Sequence, residues 1–132
     1  MYKRQKVGKP LNNSLDEEFK WICQSLGFFE TIDKDKVASS VLKEIILATE
    51  LNHALTSTQI AEKLGMSRGA ITNHLHKLMM SGIIVKDGRY YMARSRSFFQ
   101  TIEEMEEEVE LIFSKMKKIA KEIDKEFEAL RQ

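Results

Sequence analysis

The chain has 132 residues, with 21 basic and 20 acidic side chains, so its formal net charge is only +1 at neutral pH. This length allows one compact domain with an appended helix. No apolar run reaches the roughly 18 residues that a membrane span needs, and the basic start lacks the apolar core of a secretory signal. The single cysteine, Cys23, excludes an internal disulfide, and we expect a cytoplasmic protein.

Residues 1–13 contain four cations and no apolar period, which predicts a flexible basic arm. This arm either contacts nucleic acid or only keeps the protein soluble. Residues 14–33 are predicted to form an N-terminal helix and a connector. Four apolar residues of this helix recur at helical spacing and give it one apolar face: Leu15, Phe19, Ile22 and Leu26.

Residues 34–96 contain, in order, the helix caps, apolar stripes and turn residues expected for three helices followed by a β-hairpin. We call this segment the reading module. A first helix over 34–51 is followed by Thr56 and Gln59, which have the spacing of a capping box. Gly65 would end the short second helix in a left-handed conformation.

A third helix is predicted over residues 67–81, with Ser67 as its N-cap. Ile71, Leu75 and Leu78 form its inner stripe, and Gly82 ends it. Residues 83–86 and 89–92 then read as two short strands around Asp87-Gly88, a strong two-residue hairpin turn.

These residues resemble a known group of proteins. Ala61, Gly65 and Ile71 match the three packing positions of a helix-turn-helix, and the run SRGAITNHLHKLMMSGII is similar to the recognition helix and wing entry of bacterial and archaeal regulators of the ArsR and MarR type. The resemblance covers about residues 37–93. It implies a mainly α fold, a winged helix-turn-helix with a small β-hairpin wing, and duplex DNA as the partner.

The outward face of the helix at 67–81 carries side chains suited to base edges. Asn can pair with adenine, Arg with guanine, and the Thr methyl can touch thymine. Basic side chains beside this face and on the wing are better suited to phosphates. The predicted DNA-binding residues are Ser67, Arg68, Gly69, Thr72, Asn73, His76, Lys77, Lys86 and Arg89. An ordinary exposed polar face is the simpler alternative.

Charge is distributed unevenly along the chain. Residues 57–97 hold seven bases and two acids, a net charge of +5, whereas residues 98–132 have a net charge of −4. Cations concentrated on the reading module are what attraction to phosphate requires. The wing is short, so we expect Lys86 or Arg89 to contact backbone phosphate and not to enter the minor groove deeply.

Residues 97–132 contain neither Gly nor Pro, and their apolar residues alternate by three and four. This pattern predicts a long, coiled-coil-like dimerisation helix of about 50 Å. Its a and d positions are Ile102, Met105, Val109, Ile112, Met116, Ile119 and Ile123. Together with the N-terminal helix they are predicted to join two copies. An intramolecular bundle with that helix is the alternative.

The direction of pairing stays open at this stage. Residues 103–110 are mostly acidic and residues 115–121 mostly basic. An antiparallel pair would lay one block along the other, which favours that direction, but exposed charge pairs contribute little each.

Catalytic and metal-binding signatures are missing from the sequence. There is no Gly-rich phosphate loop, and no Ser-His-Asp or Cys-His set is evident, so we expect no enzyme and no cofactor. His74 and His76 point about 200° apart on a helix and cannot share one ion. With no Cys pair either, we expect no metal site.

The sequence therefore predicts a homodimeric transcriptional regulator that reads double-stranded DNA with residues 67–81. Two half-sites would lie about 34–36 Å apart. The resemblance also allows a small hydrophobic effector between the dimer helices and the reading module. A protein-interaction winged helix and an RNA-binding winged helix are the alternative functions. The direction of regulation, the operator and the effector cannot be read from the sequence.

Overall fold

The computed structural model describes residues 14–26 and 36–131. The predicted basic arm at 1–13 and the connector at 30–33 lie outside these ranges. Within them the fold is mainly helical, with five helices and one small antiparallel sheet, as predicted. In chain order the elements are α1 (Leu15–Ser25), α2 (Lys36–Glu50), β1 (Leu55–Thr56), α3 (Ser57–Leu64), α4 (Arg68–Ser81), β2 (Ile84–Asp87), β3 (Tyr90–Ala93) and α5 (Phe98–Leu130).

Local hydrogen bonds fix the ends of α3 and α4. The Thr56 hydroxyl accepts from the Gln59 amide at 3.2 Å, and the Gln59 side chain accepts from the Thr56 amide at 2.9 Å, which completes the predicted capping box. Gly65 ends α3 with φ +64°, a conformation that costs glycine little. The Ser67 hydroxyl then accepts from the Ala70 amide at 3.2 Å and begins α4.

The sheet has the strand order β1-β3-β2, and both pairings are antiparallel. The predicted hairpin turn at Asp87-Gly88 is displaced by one residue, because Asp87 pairs with Tyr90 and the loop residues are 88 and 89. Gly88 has φ +61°. A glycine with positive φ at the first loop position is the requirement of a type II′ turn, and this explains the displacement.

The core lies between α2, α4 and the sheet. Its fully enclosed side chains come from α2, from α4, from the sheet and also from α3, and include Leu42, Ile45, Ile60, Ile71, Leu75, Leu78 and Ile84. The Thr49 hydroxyl links α2 to the sheet, since it donates to the Ile45 carbonyl at 2.8 Å and accepts from the Ala93 amide at 2.9 Å. The wing is therefore held at a fixed position relative to α2.

The long helix α5 leaves this core and continues into solvent. The Ser97 hydroxyl caps it by accepting from the Gln100 amide at 3.0 Å. Thr101 and Met105 are buried against the domain, but every residue from 110 to 131 is exposed. In the two described ranges, no helix is both long enough and apolar enough to cross a membrane.

Candidate nucleic-acid interface

The helix α4 presents one face to the core and the other to solvent. Ile71, Leu75 and Leu78 are fully enclosed, as their spacing predicts. The opposite face is exposed at Gly69, Asn73, His76 and Met80, and its flanks are exposed at Ser67, Arg68 and Thr72. Lys77 is half-buried, which is typical of a lysine whose stem packs on the protein and whose ammonium reaches water.

Two details suit the exposed face of α4 for close approach to another molecule. A Cβ atom added at Gly69 would meet no other atom within 4 Å, so the surface at that point is open. The Thr72 hydroxyl donates to the Arg68 carbonyl at 2.8 Å. Its hydrogen-bonding capacity is thus partly used within the helix, which leaves its methyl group as the available contact for an apolar partner such as the thymine methyl.

A shallow cleft of about 450 Å³ lies at the start of α3, next to the start of α4 and the wing. Its walls come from the start of α3, from α4 and from the wing, and its lining residues are Thr56, Ser57, Thr58, Gln59, Arg68, Arg89 and Tyr90. The first amides of a helix have no acceptor within the helix and carry the positive end of its dipole. In α3 the Gln59 amide already donates to the Thr56 hydroxyl, so the amides that remain are those before it. Together with the guanidinium of Arg89 they form a surface suited to a phosphate.

Sequence reasoning identified Arg68 and Arg89 but not the other members of this cleft. Ser57, Thr58 and Tyr90 were missed because only the packing of α3 against α4 and the wing brings them together. The capping box was the available signal, since it locates the start of α3 at the surface.

The wing carries Lys86 and Arg89 on exposed positions. The ammonium of Lys86 lies 5.5 Å from the centre of the Tyr91 ring, and the guanidinium of Arg89 lies 5.6 Å from the centre of the Tyr90 ring. These cation–π contacts restrict the two side chains without neutralising their charge. Both remain available to anions.

Fewer cations of residues 57–97 are unpaired than their net charge of +5 suggests. The guanidinium of Arg94 donates to both carboxylate oxygens of Glu108 and lies 3.3 Å from Glu104. The hydrogen bond with Arg94 lowers the pKa of Glu108, and the same bond raises the pKa of Arg94. Lys63 lies 3.9 Å from Glu44. Arg94, which directly follows β3, therefore links the end of the wing to α5. The cations free to attract phosphate are fewer than the sequence indicates.

The three histidines do not converge. His74 is buried, with its Nδ1 atom lacking a hydrogen-bond partner, whereas His76 and His53 are exposed. Across residues 14–26 and 36–131 no three His, Cys, Asp or Glu side chains are arranged to hold a metal ion.

The predicted dimerisation residues divide into two groups. Phe19, Leu26 and Met105 are buried in the core of a single copy, and Ile22 and Ile102 pack against that core. Phe19 stacks on Phe98 at 5.6 Å between ring centres. The other members have exposed or half-exposed side chains: Leu15, Val109, Ile112, Met116, Ile119 and Ile123. The α1 stripe thus serves mainly to attach α1 to its own domain.

A second cleft lies between α1 and α2, and its lining is not the apolar one expected for a hydrophobic effector. Its volume is about 230 Å³, and its lining is charged or hydroxylated: Asp16, Glu17, Lys20, Ser39 and Ser40.

Comparison with known proteins agrees with this geometry. Residues 42–92 match the model of a family described as an HTH domain. No curated protein and no solved structure matches the chain. The match runs from within α2 to within β3 and includes the whole of α3, α4 and β2. Residues 42–92 are therefore similar to a helix-turn-helix domain, and in the structure they include a short β-hairpin wing and are followed by α5.

Proposed function

We propose that the protein is a sequence-specific DNA-binding transcriptional regulator, of the type that the ArsR and MarR resemblance implies, and that it acts as a homodimer. The helix α4 would enter the major groove. The single observation that carries this proposal is the exposed face of α4, where Arg68, Thr72 and Asn73 adjoin the open surface at Gly69. These are the side-chain types that read guanine, thymine and adenine edges.

The neighbouring surfaces would supply affinity and not sequence information. Lys77, Lys86 and Arg89 would contact phosphates on either side of α4, and the cleft at the start of α3 would hold a further phosphate with its amides. Base contacts and phosphate contacts then come from separate residues. This separation makes the proposal testable with single substitutions.

The test is a gel-shift titration of the full chain against genomic DNA fragments, followed by the same titration on a fragment that binds and on an unrelated fragment. Arg68→Ala and Asn73→Ala are expected to weaken specific binding by about 1–3 kcal/mol each. They should change binding to the unrelated fragment much less, since that binding depends on phosphates.

Two exposed residues outside α4 serve as matched controls. Lys125→Ala removes one positive charge from α5, and Gln24→Ala removes one side-chain amide from α1. Both variants should bind like the wild type. Absence of duplex binding even at low salt, or equal losses on both fragments for Asn73→Ala, would contradict the proposal. Binding to RNA or to a protein, without duplex binding, would favour the alternative functions.

A further inference from the structure

The outer part of α5 exposes a continuous apolar face. From Ile112 to Leu130 the exposed fractions of its large side chains lie between 44% and 79%: Ile112, Phe113, Met116, Ile119, Ile123, Phe127 and Leu130. At about 100° per residue these side chains occupy roughly 120° of the helix circumference. Met105 lies within the same arc and is buried against the domain. The face of α5 that packs inside the domain is thus the same face that is exposed farther along the helix. An exposed apolar surface of this extent indicates an interaction site.

We propose that this face pairs antiparallel with the same face of a second copy, in the register that places Leu130 of one copy against Ile112 of the other. The inference rests on the homodimer of the proposed function and specifies its geometry. It uses only the part of α5 that the domain leaves exposed.

The apolar side chains are complementary in this register. In an antiparallel pair an a position packs against a d position of the other helix. Leu130 then faces Ile112 at both ends of the interface, Ile123 faces Ile119 near its middle, and Met116 lies opposite Glu126 between them. Along one border Phe127 meets Phe113, and the small residue Ala120 lies beside its own copy at the centre. The aromatic side chains thus pack against each other towards both ends of this border, and the two small Ala120 residues lie between them.

The charges along the opposite border are also complementary. Lys115 and Glu126 lie beside the apolar face and have no oppositely charged residue three or four positions away on their own helix. Such neighbours are the ones that a helical side chain can reach. In the proposed register Glu126 of one copy lies beside Lys115 of the other. A parallel pair would instead place each of these charges beside its own copy.

Longer segments show the same relation. Residues 115–121 contain four lysines and no acid, whereas residues 122–128 contain four acids and one lysine. The antiparallel register lays the first segment of each copy along the second segment of the other. At 1.5 Å per residue, the two Met105 positions would lie about 48 Å apart along the pair. The reading modules would then lie at opposite ends of the pair. To occupy half-sites one DNA turn apart, the two α4 helices must be closer to each other than the two Met105 positions are.

Disulfide cross-linking of the full chain, without DNA, tests the register. The variants Ile112→Cys and Leu130→Cys are prepared with different tags, mixed under denaturing conditions, refolded and oxidised. In the proposed register the two different variants form a mixed disulfide-linked dimer. Either variant alone does not, because its two cysteines would be about 27 Å apart, far beyond the reach of a disulfide. The native Cys23 is buried and its pKa is raised to about 12, so the wild type is the control for background oxidation.

A parallel pair gives the opposite result, in which each variant cross-links to itself and the mixture forms no mixed product. A chain that sediments as a monomer and forms no cross-link also overturns the inference. Because the cross-linking needs no DNA, its failure is distinct from failure of the proposed DNA binding. A monomer with an intact α4 would still discriminate between DNA fragments.

Charge reversal gives a second measurement that does not depend on engineered cysteines. Lys115→Glu and Glu126→Lys should each raise the dissociation constant of the dimer, measured by sedimentation equilibrium, by about tenfold, since symmetry changes two charge pairs at once. The double variant restores opposite charges and should return close to the wild-type value. A double variant that is weaker than both single variants would contradict the register.

Discussion

Replacing Lys86 by alanine should reduce the salt dependence of DNA binding by a definable amount. The proposed function assigns three cations per copy to phosphate contacts: Lys77, Lys86 and Arg89. The homodimer would therefore neutralise about six phosphates and show a slope of log affinity against log salt of about −5.4. Lys86→Ala removes two of these contacts, and the expected slope is about −3.6. Between 50 and 200 mM salt, the wild type should lose about 2,000-fold in affinity and the variant about 150-fold.

The assay is fluorescence anisotropy of a labelled duplex, titrated at four or more salt concentrations. The Lys86 ammonium also lies over the Tyr91 ring, so thermal unfolding of the variant must show that the wing is intact. Lys125→Ala, which removes the same charge from the outer part of α5, should leave the slope unchanged. An unchanged slope for Lys86→Ala, or an equal change for Lys125→Ala, would refute the assignment of the wing to phosphate contacts.

Three further predictions concern local structure. Thr56→Ala removes the hydroxyl of the capping box and should lower the free energy of unfolding by about 1 kcal/mol in a urea titration. Gly69→Ala should raise stability by up to about 1 kcal/mol, because the helix favours alanine and the added methyl meets open space; the same methyl on the reading face should weaken specific DNA binding in anisotropy titrations. Arg94→Gln should be less stable than the wild type at neutral pH. Since Arg94 lowers the pKa of Glu108 in the folded state, this difference is present above the ordinary glutamate pKa of 4.5 and should close as the pH falls below it in urea titrations.

The ends of the helices could be predicted from sequence because short-range chemistry determines them. Thr56, Ser67, Gly65 and Gly82 act on backbone groups within three or four residues of themselves, and all four cap the helices as predicted. The hairpin turn was wrong by one residue. Asp87-Gly88 and Gly88-Arg89 both offer a glycine to a two-residue loop, and only the pairing of β2 with β3 decides between them.

The outward face of α4 followed from helical periodicity alone, since burial of Ile71 and Leu75 fixes which residues point away. The composition of the surrounding surface did not follow. Arg94 was counted among the cations of residues 57–97, but its partners Glu104 and Glu108 come from the next helix, α5. A charge count along the sequence cannot detect neutralisation that depends on how two elements pack.

The apolar stripes illustrate a related limit. Periodicity correctly identifies an apolar face on α1 and on α5, but it does not specify which surface covers that face. Phe19 and Met105 were assigned to contact between copies, and the structure places both in the core of one copy. Beyond residue 110 the same periodicity leaves a face that its own domain does not cover.

Selection of bound duplexes from a random-sequence library by the 132-residue chain tests the central proposal most directly. If α4 reads base edges and α5 joins two copies, successive rounds should enrich one motif repeated as two inverted half-sites, and Asn73→Ala should lose the preference at a defined base pair within each half. Retention of duplexes without any enriched sequence would reduce the interface to phosphate attraction alone. Failure to retain duplex DNA at low salt would contradict the proposed function altogether.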